Sequence, residues 1–175
     1  MILIINICKE KLHYYEFVKP IEDIVKQDYF TKHYKEISQA DLERASKIII
    51  CGTSLKDEEY LKNLENFNWI KDFQKPILGI CGGAQIIGLI FGGKLKTKTE
   101  IGLKKVNFQK EFLGTIGEKE VYELHNHYVE FNDDFEIFAK NELPQATKHK
   151  SKEVFCTLFH PEVRQKQIIN NFANR

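Results

Sequence analysis

Three residues of this chain have the types that together carry out nucleophilic acyl chemistry: Cys81, His160 and Glu162. Cys81 stands between two glycines at minus two and plus two, in Gly79-Ile-Cys81-Gly-Gly83. G-x-C-x-G is the thiol version of the nucleophile elbow, a strand-to-helix turn so tight that side chains at the flanking positions would collide. Such a turn exposes the nucleophile at the top of a sheet, beside the first N–H groups of a helix. Those groups favour negative charge, on the thiolate and on a developing oxyanion alike. His160-Pro161-Glu162 supplies the partners. Proline biases His160 toward an extended conformation, and in an extended chain His160 and Glu162 lie on one face. The roles are then nucleophile, proton carrier and orienter of the imidazole.

The surrounding residues predict the elements that must hold these groups. Lys75-Pro76 opens the apolar run Ile77 to Ile80, a buried strand, and Ala84 to Phe91 reads as the helix after the elbow, stopped by Gly92-Gly93. Ile2 to Ile7 and Lys47 to Cys51 are two more β-branched strands, the second ending in Gly52. A helix is expected from Pro20 within Tyr14 to Gln27, a more exposed strand within Asp28 to Ile37, a short helix capped by Ser38, and a helix over Asp57 to Asn66. Trp69 to Phe73 leads into the elbow strand. This alternation implies an α/β fold: a three-layer, doubly wound, mostly parallel sheet with helices on both faces. After Gly93 the character changes. Glu100 to Leu103, Val106 to Phe112, Glu120 to Leu124 and Phe135 to Ala139 read as short antiparallel edge strands. Val154 to Phe159 is a last apolar strand and Val163 to Ala173 a closing helix. Catalytic groups of open α/β sheets gather at the carboxyl ends of strands, which is where Gly52, Cys81 and His160 fall.

The 175 residues are read as a single domain, residues 1–175, with 42% hydrophobic content and a net charge of +1 from 26 basic and 25 acidic residues. That balance favours neither nucleic acid nor membrane. Lysine-rich Lys94 to Lys98 is a solvated face, without interleaved aromatic residues. No stretch approaches the ~20 apolar residues of a transmembrane helix. The start lacks a basic leader region, so the chain is read as soluble and cytoplasmic. Four scattered cysteines without a CxxC pair give neither a disulfide framework nor a metal site, and Cys8, Cys51 and Cys156 read as buried small hydrophobes.

Beyond the elbow, the chain resembles the class I (triad-type) glutamine amidotransferases. Gly79-Ile-Cys81-Gly-Gly-Ala-Gln85 is similar to the family's G-(I/V/L)-C-x-G-x-Q, Phe91-Gly-Gly-Lys94 to its helix exit, Glu100-Ile-Gly102 to its E-I-G step, and Phe159-His-Pro-Glu-Val163 to its F-H-P-E. Asn126-His127 sits where relatives carry N-H or S-H, and Ala146 to His149 with the following strand resembles most the glutaminase subunit of GMP synthase. The resemblance implies a flavodoxin-like fold and hydrolysis of glutamine to glutamate and ammonia. It assigns the oxyanion to the N–H groups of Gly52 and Gly82, and the glutamine pocket to Gln85, Asn126, His127 and Tyr128. It calls for no cofactor and no metal. The chain departs from the family in Cys51-Gly52-Thr53-Ser54, where relatives carry G-G-P or a similar double glycine; Gly52 keeps the flexible position.

Plainer readings stand beside these. Gly52 is also a strand-end turn residue, Glu100 a solvated charge, and His127 either a pocket wall or a structural hydrogen-bonder. His13, His33 and His149 lie in charged surroundings and read as surface residues. Three functions remain: a glutaminase subunit feeding a separate synthetase, a stand-alone hydrolase of γ-glutamyl amides, or a non-catalytic regulatory relative. No ATP-binding G-x-x-x-x-G-K-S/T motif occurs, so synthesis requires a partner chain.

Overall fold

A computed structural model describes all 175 residues, Met1 to Arg175. Its strands are β1 (Ile2–Asn6), β2 (Tyr29–His33), β3 (Lys47–Ile50), β4 (Ile77–Ile80), β5 (Lys94–Phe112), β6 (Thr115–Glu130), β7 (Phe135–Lys140), β8 (Pro144–His149) and β9 (Val154–Thr157). They form one nine-stranded sheet in the order β2-β1-β3-β4-β9-β8-β7-β5-β6. The first five strands pair in parallel, in the doubly wound 2-1-3-4-5 arrangement. From β9 outward every pairing is antiparallel.

The helices are α1 (His13–Phe17), α2 (Lys19–Ile24), α3 (Gln39–Arg44), α4 (Gly82–Ile90) and α5 (Gln167–Asn174). Strand alternation divides the core. Ile2 and Ile4 face Ile21 of α2 and Ile168, Ile169 and Phe172 of α5. Leu3 and Ile5 lie on the opposite face, with Ile86 and Ile87 of α4 and Phe67. Strands covered on both faces need apolar residues at every position, which is why β1, β3 and β4 are continuous runs. Fully burying one such isoleucine contributes about 1.5–3 kcal/mol.

Several expected elements differ in extent. The helix read over Asp57 to Asn66 is a 3₁₀ segment, Glu59–Lys71, kinked at Asn63, and it absorbs part of the stretch expected to lead into β4. The closing helix begins at Gln167, not Val163. The short pieces read between Glu100 and Leu124 belong to one long hairpin, β5–β6, with register shifts between Thr97 and Glu100 and between Phe108 and Phe112. β8 has no counterpart among the expected strands: it opens on a proline and carries Gln, Thr, Lys and His, a poor strand signature. His149, read as a surface residue, is buried beside Phe91 and Phe135, and that burial lowers its pKa. Ser38 does cap α3, through a reciprocal capping box with Asp41.

Candidate active site

The elbow is built by close approach. A Cβ on Gly83 would stand 2.3 Å from the Ile50 carbonyl oxygen, and one on Gly79 would stand 2.7 Å from the Gly83 carbonyl carbon. Only glycine lets β4 turn into α4 this tightly. The turn leaves Cys81 at φ 49°, ψ −103°, a strained conformation for a residue with a side chain. Its N–H donates to the Thr157 carbonyl at 2.8 Å, fixing the elbow to the end of β9.

β9 runs directly into His160. The His160 N–H donates to the Tyr122 carbonyl at 2.9 Å, so β6 supports it from below. His160 Nδ1 lies 2.7 Å from Glu162 Oε1, both side chains being 1% exposed. Burial opposes a charged imidazole, but the Glu162 carboxylate and the Cys81 sulfur outweigh it and hold the His160 pKa well above its ordinary 6.5. The Cys81 thiol is turned toward the Leu124 carbonyl, 3.5 Å away, and His160 Nε2 makes no hydrogen bond. Burial pushes the Cys8 thiol up to about 11 and raises Cys51 and Cys156 as well.

Gly52 closes the group. A Cβ there would meet His160 Cε1 at 2.6 Å and Cys81 Cβ at 3.4 Å, so the backbone itself presses against both side chains. The Gly52 N–H takes part in no backbone hydrogen bond. Gly82 opens α4, so its N–H has no acceptor within the helix. The loop after Gly52 is held by a buried carboxylate. Buried Asp57 accepts from Thr53 Oγ1 at 2.7 Å and from the Lys9 N–H at 2.6 Å.

Thr53, Ser54, Leu55, Asp57, Glu58, Tyr60, Gly82, Gln85, Leu124, His125, Asn126 and His127 line a partly open pocket around Cys81 with about 20 Å³ of space, room for one water. Two links close it. Asn126 Nδ2 donates to the Leu55 carbonyl at 2.9 Å, and His127 Nε2 sits 2.7 Å from Glu58 Oε1.

The family model for glutamine amidotransferase class-I matches residues 20–174. The chain belongs to the class-I glutamine amidotransferase family. It is 34% identical over 150 residues to a glutamine-hydrolyzing GMP synthase subunit of Thermoplasma acidophilum, covering 78% of this chain and 75% of the relative. It is 31% identical over 144 residues to the corresponding GMP synthase subunit of Picrophilus torridus, covering 75% of this chain and 77% of that one. A crystal structure from T. acidophilum described as a GMP synthase subunit superposes with a TM-score of 0.86 at 27% identity, covering 99% of this chain and 92% of that one.

The pocket residues expected from the amidotransferase resemblance divide. Gly82, Gln85, Asn126 and His127 surround Cys81, and Gly52 abuts it. Gln85 is already engaged: Tyr60 donates to its Oε1 at 2.6 Å, and its Nε2 donates to the His127 carbonyl at 2.8 Å. It is a fixed wall. Tyr128 does not reach the Cys81 pocket. Advancing one residue along β6 carries it to a separate cavity on the far side of Gln85, with Val129, Phe131 and Gln145. Tyr60, Asp57, Glu58, Leu124 and His125 join the site without having been singled out by sequence reasoning. The Thr53-x-x-x-Asp57 spacing is a readable signal for the loop anchor, whereas the Leu124 carbonyl leaves no trace in a sequence.

Proposed function

We propose that the chain is a single-domain glutaminase subunit that hydrolyses glutamine to glutamate and ammonia for a separate synthetase. The observation that carries this reading is the convergence of Gly52, Cys81 and the His160–Glu162 pair at the ends of three adjacent strands. In the proposed reaction the Cys81 thiolate attacks the side-chain amide carbon of glutamine. The N–H groups of Gly52 and Gly82 receive the oxyanion. His160, protonated and held at Nδ1 by Glu162, gives its Nε2 proton to the leaving nitrogen. The C–N bond breaks, ammonia departs and a thioester remains. Water then attacks the thioester, His160 takes its proton, and the C–S bond breaks to give glutamate and free Cys81.

The relatives named as glutamine-hydrolyzing GMP synthase subunits support a synthetase of that kind as the ammonia acceptor. The pocket over Cys81 is narrow, and the Asn126–Leu55 and His127–Glu58 links hold the Thr53–Glu58 loop across it, so in this reading the loop moves as glutamine enters. A loop that opens on docking of the synthetase accounts for both observations and favours the subunit over a free-standing hydrolase. The retained position of Gly52 argues against the non-catalytic reading. Four free cysteines suit a reducing compartment such as the cytoplasm.

Labelling with a glutamine-analogue electrophile tests the chemistry. One adduct on Cys81, lost in Cys81→Ala together with ammonia release, is the expected result. An unlabelled Cys81 in the presence of the co-purified synthetase would overturn it. Capture from native lysate identifies the acceptor chain, and ammonia release that no captured synthetase stimulates would sink the link to a synthetase.

A further inference from the structure

The β5–β6 hairpin gathers a second group of chemically capable side chains, behind the wall of the Cys81 pocket. Glu100 on β5 lies directly across from His125 on β6, and Glu123 is two residues from His125, so all three project from one face. One ligand atom from each lies within 4.8 Å of the others. His125 Nε2 is 3.2 Å from Glu123 Oε2 and 3.6 Å from Glu100 Oε2. The side chains of His125 and Glu123 are fully buried, that of Glu100 nearly so.

Apart from Lys98 Nζ, 3.9 Å from Glu100 Oε1, no lysine or arginine pairs with these groups. Both carboxylate oxygens of Glu123, Oε2 of Glu100 and Nε2 of His125 make no hydrogen bond. His125 Nδ1 faces the Lys98 carbonyl at 3.1 Å, which calls for a proton on Nδ1. The other ring nitrogen, Nε2, faces both carboxylates. Two carboxylates buried this close together with so little to balance them are destabilising. A cation among the four atoms reverses every one of these interactions. A ring nitrogen fixed by a backbone carbonyl on its far side is also the usual support of a metal-bound histidine. Gly102, opposite Glu123, contributes no side chain to fill the space. Glu100 borders an open cleft with Lys98, Thr99, Lys104, Lys105, Asn141 and Glu142, which gives an ion a route in past three lysines and a second carboxylate.

We propose that Glu100, Glu123 and His125 bind one divalent first-row metal ion, Zn²⁺ or Mn²⁺, as a structural site. One imidazole and two carboxylates suit these ions better than Ca²⁺ or Mg²⁺, which prefer all-oxygen shells. The ion would tie β5 to β6 next to Leu124, whose carbonyl holds the Cys81 thiol. CxxC spacing cannot reveal such a site, because strand pairing assembles it. The proposal is independent of the glutaminase reading.

The test is calorimetric titration of the chelator-stripped full chain with ZnCl₂ and MnCl₂. One ion per chain is expected for the wild type and equally for Cys81→Ser, which removes the thiol as a competing zinc ligand. Glu123→Gln is expected to weaken binding on the order of 100-fold. Spin-echo spectroscopy of Mn²⁺ bound to the wild type, which needs no variant to fold, should show coupling to one imidazole nitrogen. No saturable binding, binding abolished by Cys81→Ser, or bound Mn²⁺ without nitrogen coupling would overturn the proposal. In that event a proton shared between His125 and the carboxylates would be the balancing charge.

Discussion

The backbone at Gly52 lies against the imidazole of His160, so closely that the first atom of any side chain there would meet Cε1 at 2.6 Å. A loop that departs from the family pattern around it thus keeps the one position that must stay bare. Thr53 Oγ1 donates to Asp57 at 2.7 Å and fixes the loop that follows.

Gly52→Ala should therefore act on catalysis more than on folding. The new methyl group displaces His160 or withdraws the Gly52 N–H, and losing one oxyanion donor typically costs ~10²–10³ in rate. Steady-state ammonia release alongside a thermal melt separates the two effects. An active Gly52→Ala chain would remove this loop from the mechanism.

Glu162→Gln should change the pH dependence of stability. His160 has a raised folded-state pKa, so its charge stabilises the fold fully below about 6.5, and that contribution is lost as pH rises through the folded value. Removing the carboxylate lowers the folded pKa, since burial is then opposed by less. Wild type should exceed the variant in melting temperature most on the acid side of this window, with the gap narrowing as pH climbs. A gap independent of pH would mean that His160 is neutral in the folded protein.

His127→Ala should loosen the closed pocket. The His127–Glu58 link is partly exposed, at 19% and 47%, so it holds the loop by no more than about 1 kcal/mol. Its removal should raise kcat/KM of the isolated chain by at most about 5-fold, while the synthetase-bound value changes less. An unchanged or lower value in the isolated chain would show that this link does not restrain opening.

Gly83→Ala and Gly82→Ala should differ in stability although they are neighbours. At Gly83 the obstacle is the Ile50 carbonyl within β3, at 2.3 Å, and it cannot move without breaking the sheet. A loss of about 3 kcal/mol is expected. At Gly82 the obstacle is Ile7 Cδ1 at 2.8 Å, the flexible end of a side chain, so about 1 kcal/mol is expected. Urea unfolding midpoints of the two variants give the comparison.

What is legible in the sequence follows from what each feature depends on. Gly79-Ile-Cys81-Gly-Gly83 and His160-Pro-Glu162 are local patterns whose geometry the backbone enforces, and the parallel strands are apolar runs that burial on both faces requires. The β5–β6 hairpin reads as fragments because its outer stretch alternates lysine, glutamate and glycine with few apolar positions. β8 is invisible for the same reason, its residues being held by pairing on both sides and not by their own preference. Glu100, Glu123 and His125 come together only through cross-strand register, which spacing along the chain does not express.

β4 and β9 are adjacent, hydrogen-bonded strands, yet all of β5, β6, β7 and β8 lies between them in the chain. Contacts of such long sequence separation form slowly, because the entropy of closing the intervening segment is lost before the pairing is gained. The elbow turn is local in sequence, whereas the groups that complete it come from far along the chain. Until the antiparallel strands have stacked and β9 has slotted in beside β4, Cys81 has no imidazole and no acceptor for its N–H. A Cys81 that has both its imidazole and its N–H acceptor therefore marks a chain whose β4–β9 pairing is complete.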